Sequence, residues 1–395
     1  MNLSILNIEN QEFINKNLNE DISDLLLTKH KDITTDIKLL AEQIEAKKRC
    51  KNKLPTWFNS PFILYPNKLN IEQTSSEFTA HYKANLIKTQ GKTLIDITGG
   101  FAVDAYYFSK YFDSVTHCEI SQELSEIVAH NFKQLQVDNI SCVHSDGIAY
   151  LKKQKTTFDW IYIDPSRRHD AKGKVFFLND CLPNVPKHFD LLFSKSDHIL
   201  IKTSPLLDIS AGINELDHVK SIFVLAVNNE VKELLWVLEK NYEAAIKITA
   251  VNLIKDKEET FCFDISKESS YDVNFSHPLT YLYEPNAAIL KAGAFNSLAS
   301  QFNLCKLHKH THLYTSDTLF EFPGRKFKVE NVIPYNKKKF KKTNIKKANI
   351  TTRNFPETVK DIRKKLSIQD GGDIYLFFTT NPSNERIIII CKKQR

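Results

Sequence analysis

Four acidic residues, Asp96, Glu119, Asp146 and Asp164, each follow a short apolar run of strand character: "LID", "SVTHCE", "ISCVHSD" and "WIYID". After Asp96 come Thr98, Gly99 and Gly100, two adjacent glycines in a chain that has only ten. Glycine lets the backbone turn tightly and approach a ligand closely, and a strand–glycine turn–helix unit in a parallel sheet lies at its ligand-binding edge. The turn 96–104 is not GxGxxG, because Ala102 and Val103 stand where a dinucleotide fold has glycine. A pyrophosphate needs bare amides at the helix start and fits poorly here. An acidic residue at the end of the first strand suits a ligand with a positive amino group, and S-adenosylmethionine carries both an amine and a sulfonium. Glu119, 23 residues after Asp96, is placed to accept both ribose hydroxyls, and Asp146 the adenine amine. Each carboxylate taken singly is also a good helix N-cap; four at successive strand ends are harder to assign to capping.

The elements that must hold these residues alternate. Strands are expected at 94–98, 114–120, 139–145, 158–164 and 198–203, with helices around 102–112, 121–136 and 185–195. That alternation means a parallel sheet covered on both faces. "SIFVLAVNNEVKELLWVLEK" then reads as two strands about a turn at Asn228-Asn229, followed by the apolar run "IKITAVNLI". Upstream, Ile33, Ile37, Leu40 and Ile44 recur at helical spacing, and "SSEFTAHYKANLIK" reads as a short helix capped by Ser75 or Ser76. Beyond about 270, "YLYEPNAAILKAGAFNSLASQF" contains helix, "HTHLYTSDTLFEF" is strand-like, and "GGDIYLFFTT" and "RIIIICK" are two more strand candidates.

At 395 residues, two or three domains are expected. The start has no signal-peptide pattern and no run reaches the ~18 apolar residues a membrane span needs. Seven scattered cysteines with no CxxC pair read as reduced thiols in a cytoplasmic protein with no zinc site. Charge is divided unevenly: 19 Lys and Arg against 7 Asp and Glu lie in residues 319–395, while the whole chain is +7. A mildly acidic body with a basic end is the asymmetry of a nucleic-acid partner. Seven lysines (Lys337, Lys338, Lys339, Lys341, Lys342, Lys346 and Lys347) are interrupted by Phe340 and Ile345, which points to a folded, partly strand-like element that reads phosphates. His308, His310 and His312 would share a face of one strand, but without carboxylate or cysteine partners they read as surface or RNA contacts, with no metal.

The order Asp96/Gly100, Glu119, Asp146, Asp164-Pro165, closed by a hairpin, resembles class I S-adenosylmethionine-dependent methyltransferases. "DITGGFAVDAYYFS" is similar to the first motif of rRNA guanine-N2 methyltransferases and, distantly, of trimethylguanosine synthase. The segments "EQTSSEFTAHYKA", "DPSRR", "IKTSPLLDI", "YLYEPNAAILKAG", "KLHKHTHLYTS", "FPGRKF" and "ANITTRNFP" resemble a bacterial methyltransferase family with a THUMP-like C-terminal domain. The resemblance implies an α/β fold: a Rossmann-like seven-stranded methyltransferase sheet with an N-terminal helical region and a small α+β THUMP-like domain. It divides the chain into an N-terminal helical region (1–90), a methyltransferase domain (91–270), a small ferredoxin-like linking subdomain (271–318) and a basic RNA-binding domain (319–395). Cofactor binding would fall to Asp96, Thr98, Gly99, Gly100, Phe101, Asp104, Glu119, Ile120, Asp146 and Gly147. Trp57, Phe58, Glu77 and Lys83 lie in a segment that in related enzymes folds over the cofactor.

Amine methyltransferases end the fourth strand in Asp or Asn, Pro, Pro and an aromatic. Here Asp164 and Pro165 match, while Ser166 and Arg167 depart; an arginine plane can stack on a base or pair with phosphate. Lys202, at the end of strand five, is placed to touch substrate or neutralise Asp164. Arg325, Arg353 and Asn354 join the lysines as expected RNA contacts. The expectation is an S-adenosylmethionine-dependent methyltransferase acting on a base, guanine N2 among the candidates, in a tRNA or rRNA. The alternatives are a silent RNA-binding protein with this fold, or a methyltransferase for DNA, protein or a small molecule. Oligomeric state is left open.

Overall fold

The computed structural model describes residues 3–28, 35–89, 91–167, 177–255 and 257–394, so Ile33 and Arg168 lie outside the described residues. Two compact units emerge: Met1–Thr203 with Ser210–His218 and Trp236–Tyr242, and Ser204–Ile209 with Val219–Leu235 and Glu243–Arg395.

The first sheet is built from β1 (Thr93–Asp96), β2 (Ser114–Glu119), β3 (Ile140–His144), β4 (Trp160–Ile163), β5 (His198–Thr203), β6 (Val219–Val227), β7 (Glu230–Glu239), β8 (Lys247–Ile254) and β9 (Lys257–Asp264). Its order is β9-β8-β6-β7-β5-β4-β1-β2-β3. β1 pairs in parallel with β2 and β4, and β2 with β3 and β4 with β5 likewise. The sheet therefore contains the seven expected strands and is extended by two more, the run at 247–254 and the unforeseen 257–264, to nine. "WIYI" in β4 is buried at every position, as strands covered on both faces are. β6 and β7 join through Asn228 (φ 50°) and Asn229 (φ 65°), the left-handed pair that a two-residue hairpin turn demands and that Asn tolerates.

The helices begin where the sequence supplies caps. Ser76 accepts from Thr79 N–H at the head of Glu77–Ile87, Ser121 from Leu124 N–H ahead of Gln122–Gln134, and Asp146 from Ala149 N–H ahead of Gly147–Lys153. Helix Ile37–Lys53 buries Leu40, Ala41, Ile44 and Cys50. Among the described residues no helix is long and apolar enough to cross a membrane.

A second sheet, wholly in the second unit, contains β10 (Tyr281–Pro285), β11 (Cys305–His308), β12 (Thr311–Ser316), β13 (Gly324–Pro334), β14 (Asn349–Thr352), β15 (Ile374–Thr380) and β16 (Arg386–Gln394). The order β11-β12-β10-β13-β16-β15-β14 interleaves strands from before and after residue 318. The sheet curls so that its two edges meet: His308 on β11 hydrogen-bonds Asn354, just past β14, and Thr311 Oγ1 donates to Thr380 O. Inside lie Leu282, Leu307, Leu313, Phe327, Phe377 and Ile389.

Two expectations are corrected here. The three histidines do not share one strand: His308 ends β11, His310 lies in the turn, and His312 is on β12. The lysine run is not strand-like at its start. It forms the short helix Lys337–Lys341, capped by Asn336, because Phe340 turns inward at 2% exposure to pack with Ile362, Leu376 and Phe378. All seven lysines are exposed, and among the described residues none has a carboxylate partner. Phe340→Ala should cost about 3–5 kcal/mol as a buried aromatic lost from a packed core. Chemical denaturation read by near-ultraviolet circular dichroism checks this.

Candidate active site

The carboxyl ends of β1 to β5 lie along one edge, and the strand order reverses between β1 and β4, where open sheets bind ligands. Asp96 ends β1, 2% exposed; its Oδ1 accepts from Thr98 N–H at 2.9 Å and Thr98 Oγ1 at 3.0 Å. Burial pushes the Asp96 carboxyl well above its ordinary range, with the nearby Asp104 and Asp164 charges adding to the rise. Thr98 Oγ1 also accepts from Asp164 N–H at 2.7 Å, so the turn after β1 and the end of β4 are tied through one hydroxyl.

Gly99 (φ 44°) sits against the end of β2. A Cβ there would lie 2.5 Å from both Cys118 O and Glu119 Oε2, so only glycine fits. Gly100 (φ 74°) is different: a Cβ would meet no atom within 4 Å, and its backbone faces open space. Its N–H donates to Glu119 Oε2 at 2.6 Å, while Glu119 Oε1 accepts from Ser121 N–H at 2.7 Å. The buried Glu119 is thereby fixed with acceptor capacity remaining on each oxygen. Next to it, Ile120 is 70% exposed, an apolar side chain bare at the ligand edge. Asp146 is exposed and caps its helix through Oδ1, and Gly147 packs under Ile97, where a Cβ would come within 2.2 Å of Ile97 O.

Asp164 follows β4 and forms an ion pair with Lys202 Nζ from β5. Pro165 is buried, Ser166 is exposed, and 166–167 pair with Cys181–Leu182 in a short antiparallel bridge. The sequence left Lys202 two roles; the structure gives it the carboxylate.

Asp104 and Phe101 face the protein. Phe101 is 3% exposed and packs near Trp57, ring centroids 6.1 Å apart. Asp104 Oδ2 accepts from Ser75 Oγ and Tyr162 OH, each at 2.8 Å, and Oδ1 lies 3.1 Å from Lys83 Nζ. Burial alone would raise its pKa, yet Lys83, Lys202, Tyr162 and Ser75 together hold it below the usual carboxylate value. Lys83 is fully buried and bonds Ser75 Oγ at 3.0 Å. Glu77 accepts from Thr56 N–H (2.6 Å), Thr56 Oγ1 (2.8 Å) and Tyr107 OH (2.7 Å). The segment before β1 is thus latched to helix Val103–Phe108. Sequence reading named Lys83 but missed this pairing; its signal was a polar Ser75 and Lys83 on a stretch with little other reason to be buried.

Residues 281–323 match the family model of a ferredoxin-like domain, and 324–393 that of a THUMP-like domain. Over nearly the whole chain there is likeness to a Porphyromonas gingivalis W83 crystal structure described as a methyltransferase by inference: 31% identity, 98% of this chain and 97% of that one covered, TM-score 0.89. The chain belongs to the class I methyltransferases with a THUMP-like domain. An uncharacterised RNA methyltransferase of Mycoplasma mobile is 30% identical over 92 residues, 22% of this chain; the chain spans a quarter (25%) of that relative's length.

In this methyltransferase Arg325 and Arg353 both pair with the buried Glu284, and Asn354 Nδ2 bonds His308 Nδ1 at 3.0 Å. The seven lysines are exposed. Among the described residues no histidine, cysteine and carboxylate group could hold a metal. Lys83→Met would leave Asp104 buried without its cation and should cost about 3–5 kcal/mol, whereas Lys83→Met with Asp104→Leu should recover part of that loss. Equilibrium denaturation of both variants decides it; equal losses would mean the pair is not what is being measured.

Proposed function

We propose that this chain transfers a methyl group from S-adenosylmethionine to a base in structured RNA, with an exocyclic amine such as guanine N2 as acceptor. The observation that carries the reading is Thr98 Oγ1, which bonds both Asp96 and the Asp164 backbone. It makes the cofactor turn and the acceptor-side carboxylate one rigid piece, and methyl transfer depends above all on alignment.

The residues fit that cofactor. The open face of Gly100 allows close approach, Glu119 keeps acceptor capacity for ribose hydroxyls, exposed Ile120 offers an apolar face to adenine, and Asp96 provides a carboxyl for a cationic amine. S-adenosylmethionine when bound supplies a methyl activated on a sulfonium. The chain's own work is positional. Lys202 holds Asp164 Oδ2, leaving Oδ1 and the Pro165 carbonyl to accept the amine hydrogens and aim the nitrogen lone pair. The RNA part of the reading is supported by the THUMP-like match and the seven exposed lysines on and beside helix Lys337–Lys341, which have no carboxylate partner among the described residues.

The test is transfer of labelled methyl into bulk RNA from cells lacking this protein, with digestion to nucleosides. Wild type should label one nucleoside, and Asp164→Ala should reduce the rate by roughly a hundredfold or more. Label in DNA or protein alone would sink the RNA reading. Absence of any label together with absence of cofactor binding would sink the enzyme.

A pH dependence follows from Asp96. Its carboxyl is raised, so in the free protein it is neutral over pH values where an ordinary aspartic acid is charged. A cationic ligand needs the carboxylate, so cofactor affinity should fall as pH drops through the raised pKa, up to tenfold per unit, with a proton released on binding there. Calorimetry over a series of pH values above the ordinary aspartate range should show this slope in wild type and its loss in Asp96→Asn. A flat wild-type profile would remove Asp96 from the cofactor site.

A further inference from the structure

His117, a buried polar residue of the first sheet, has no part in the chemistry proposed above. It is fully buried on β2, and its Nδ1 and Nε2 both lack a hydrogen-bond partner among the described residues. An apolar ring would fill the same space without the penalty of two bare ring nitrogens. A polar group kept under that penalty calls for a reason beyond packing.

The sheet register shows what lies over it. His117 on β2 is level with Asp96 on β1, and Asp96 is level with Tyr162 on β4. Level residues on parallel neighbours point to one face of a sheet, so the three side chains stand in a row. Tyr162 OH donates to Asp104 Oδ2 at 2.8 Å, so this face is the one covered by helix Val103–Phe108, which the glycine turn opens. Glu119, two residues along β2 from His117, shares that face and accepts from Gly100 N–H at 2.6 Å. Gly99 lies so close to the end of β2 that a Cβ there would come within 2.8 Å of Glu119 Cα. The turn 97–100 therefore starts beside Asp96 and ends against Glu119, and His117 stands between those two carboxylates on the covered face. Burial pushes the imidazole pKa down to about 4, with the Gly99 and Gly100 backbone pulling the other way. Near neutral pH the ring is uncharged and keeps one N–H donor and one lone pair.

We propose that His117 is a positioning residue for the cofactor: its ring N–H is a donor held ready for the backbone of the Gly99-Gly100 turn, and the two meet when cofactor binds. Thr98 ties the start of the turn to Asp96, and Glu119 holds its far end through Gly100 N–H. His117 supplies the support from within the sheet. The inference rests on the S-adenosylmethionine reading above.

The experiment uses the full chain and S-adenosylhomocysteine near neutral pH. NMR follows the His117 imidazole, assigned with His117→Gln, and calorimetry gives the affinity. A downfield, slowly exchanging ring N–H proton of His117 should appear only in the ligand-bound chain. His117→Phe keeps a ring and removes the donor; it should bind about tenfold more weakly, the worth of one hydrogen bond, while melting no lower than wild type. His117→Gln keeps a donor and should recover part of the affinity. A merely structural histidine would give the reverse, lower melting with unchanged affinity, and that result overturns the proposal. Should His117→Phe fail to fold, the wild-type ring signal decides by itself. Ligand binding that leaves the His117 signals in place overturns the proposal and leaves the cofactor reading standing. Absence of binding overturns both, so the two failures are separable.

Discussion

Asp104 lies almost out of reach of water, where an unpaired carboxylate would cost several kcal/mol. Its partners come from two separate stretches: Ser75 and Lys83 from the segment before β1, and Tyr162 from the middle of β4. The helix carrying Asp104 opens directly from the glycine turn. Tyr162 O in turn accepts from Ile97 N–H, in the same turn. Satisfying one buried charge therefore fixes the N-terminal segment, the first helix and two central strands against each other. The turn that faces the ligand edge inherits its rigidity from behind.

In front of that scaffold the edge is dominated by negative charge. Asp96, Glu119, Asp146 and Asp164 end successive strands, and Lys202 forms an ion pair with the last. The first three leave a site suited to a ligand that is positive at one end and rich in hydroxyl and amine donors. The balance at Asp164 is different, because a carboxylate held by a lysine is a poor attractor of free cations but a fixed acceptor for a neutral donor. On the reading proposed above, one lysine on β5 would distinguish the cofactor side from the acceptor side.

What the sequence disclosed was local. Alternation of apolar runs and amphipathic stretches placed β1 to β5 within two residues, and Asn228-Asn229 declared its hairpin because few residues accept two consecutive left-handed conformations. Partnerships over distance stayed hidden. Nothing in "HKHTH" says that the chain reverses at His310, since the alternation of a strand and a tight turn between strands look alike over five residues. The lysine run looked strand-like because Phe340 and Ile345 interrupt it, yet at five residues' spacing the interruptions suit neither period, and burial of Phe340 settled a short helix. The positions of Arg325 and Arg353 on one carboxylate required knowing that β14 curls round to β10, which no window of sequence contains.

That curled sheet has a consequence for how the protein is made. Strand β16, at 386–394, comes last of the sheet's strands in the chain yet lies mid-sheet between β13 and β15. During synthesis at ~5–20 residues per second, β13 must wait on the order of 10 s for its central neighbour to leave the ribosome. The sheet cannot be completed as it emerges; it closes only after translation has passed residue 394, and until then β13 and β15 each keep one unpaired edge.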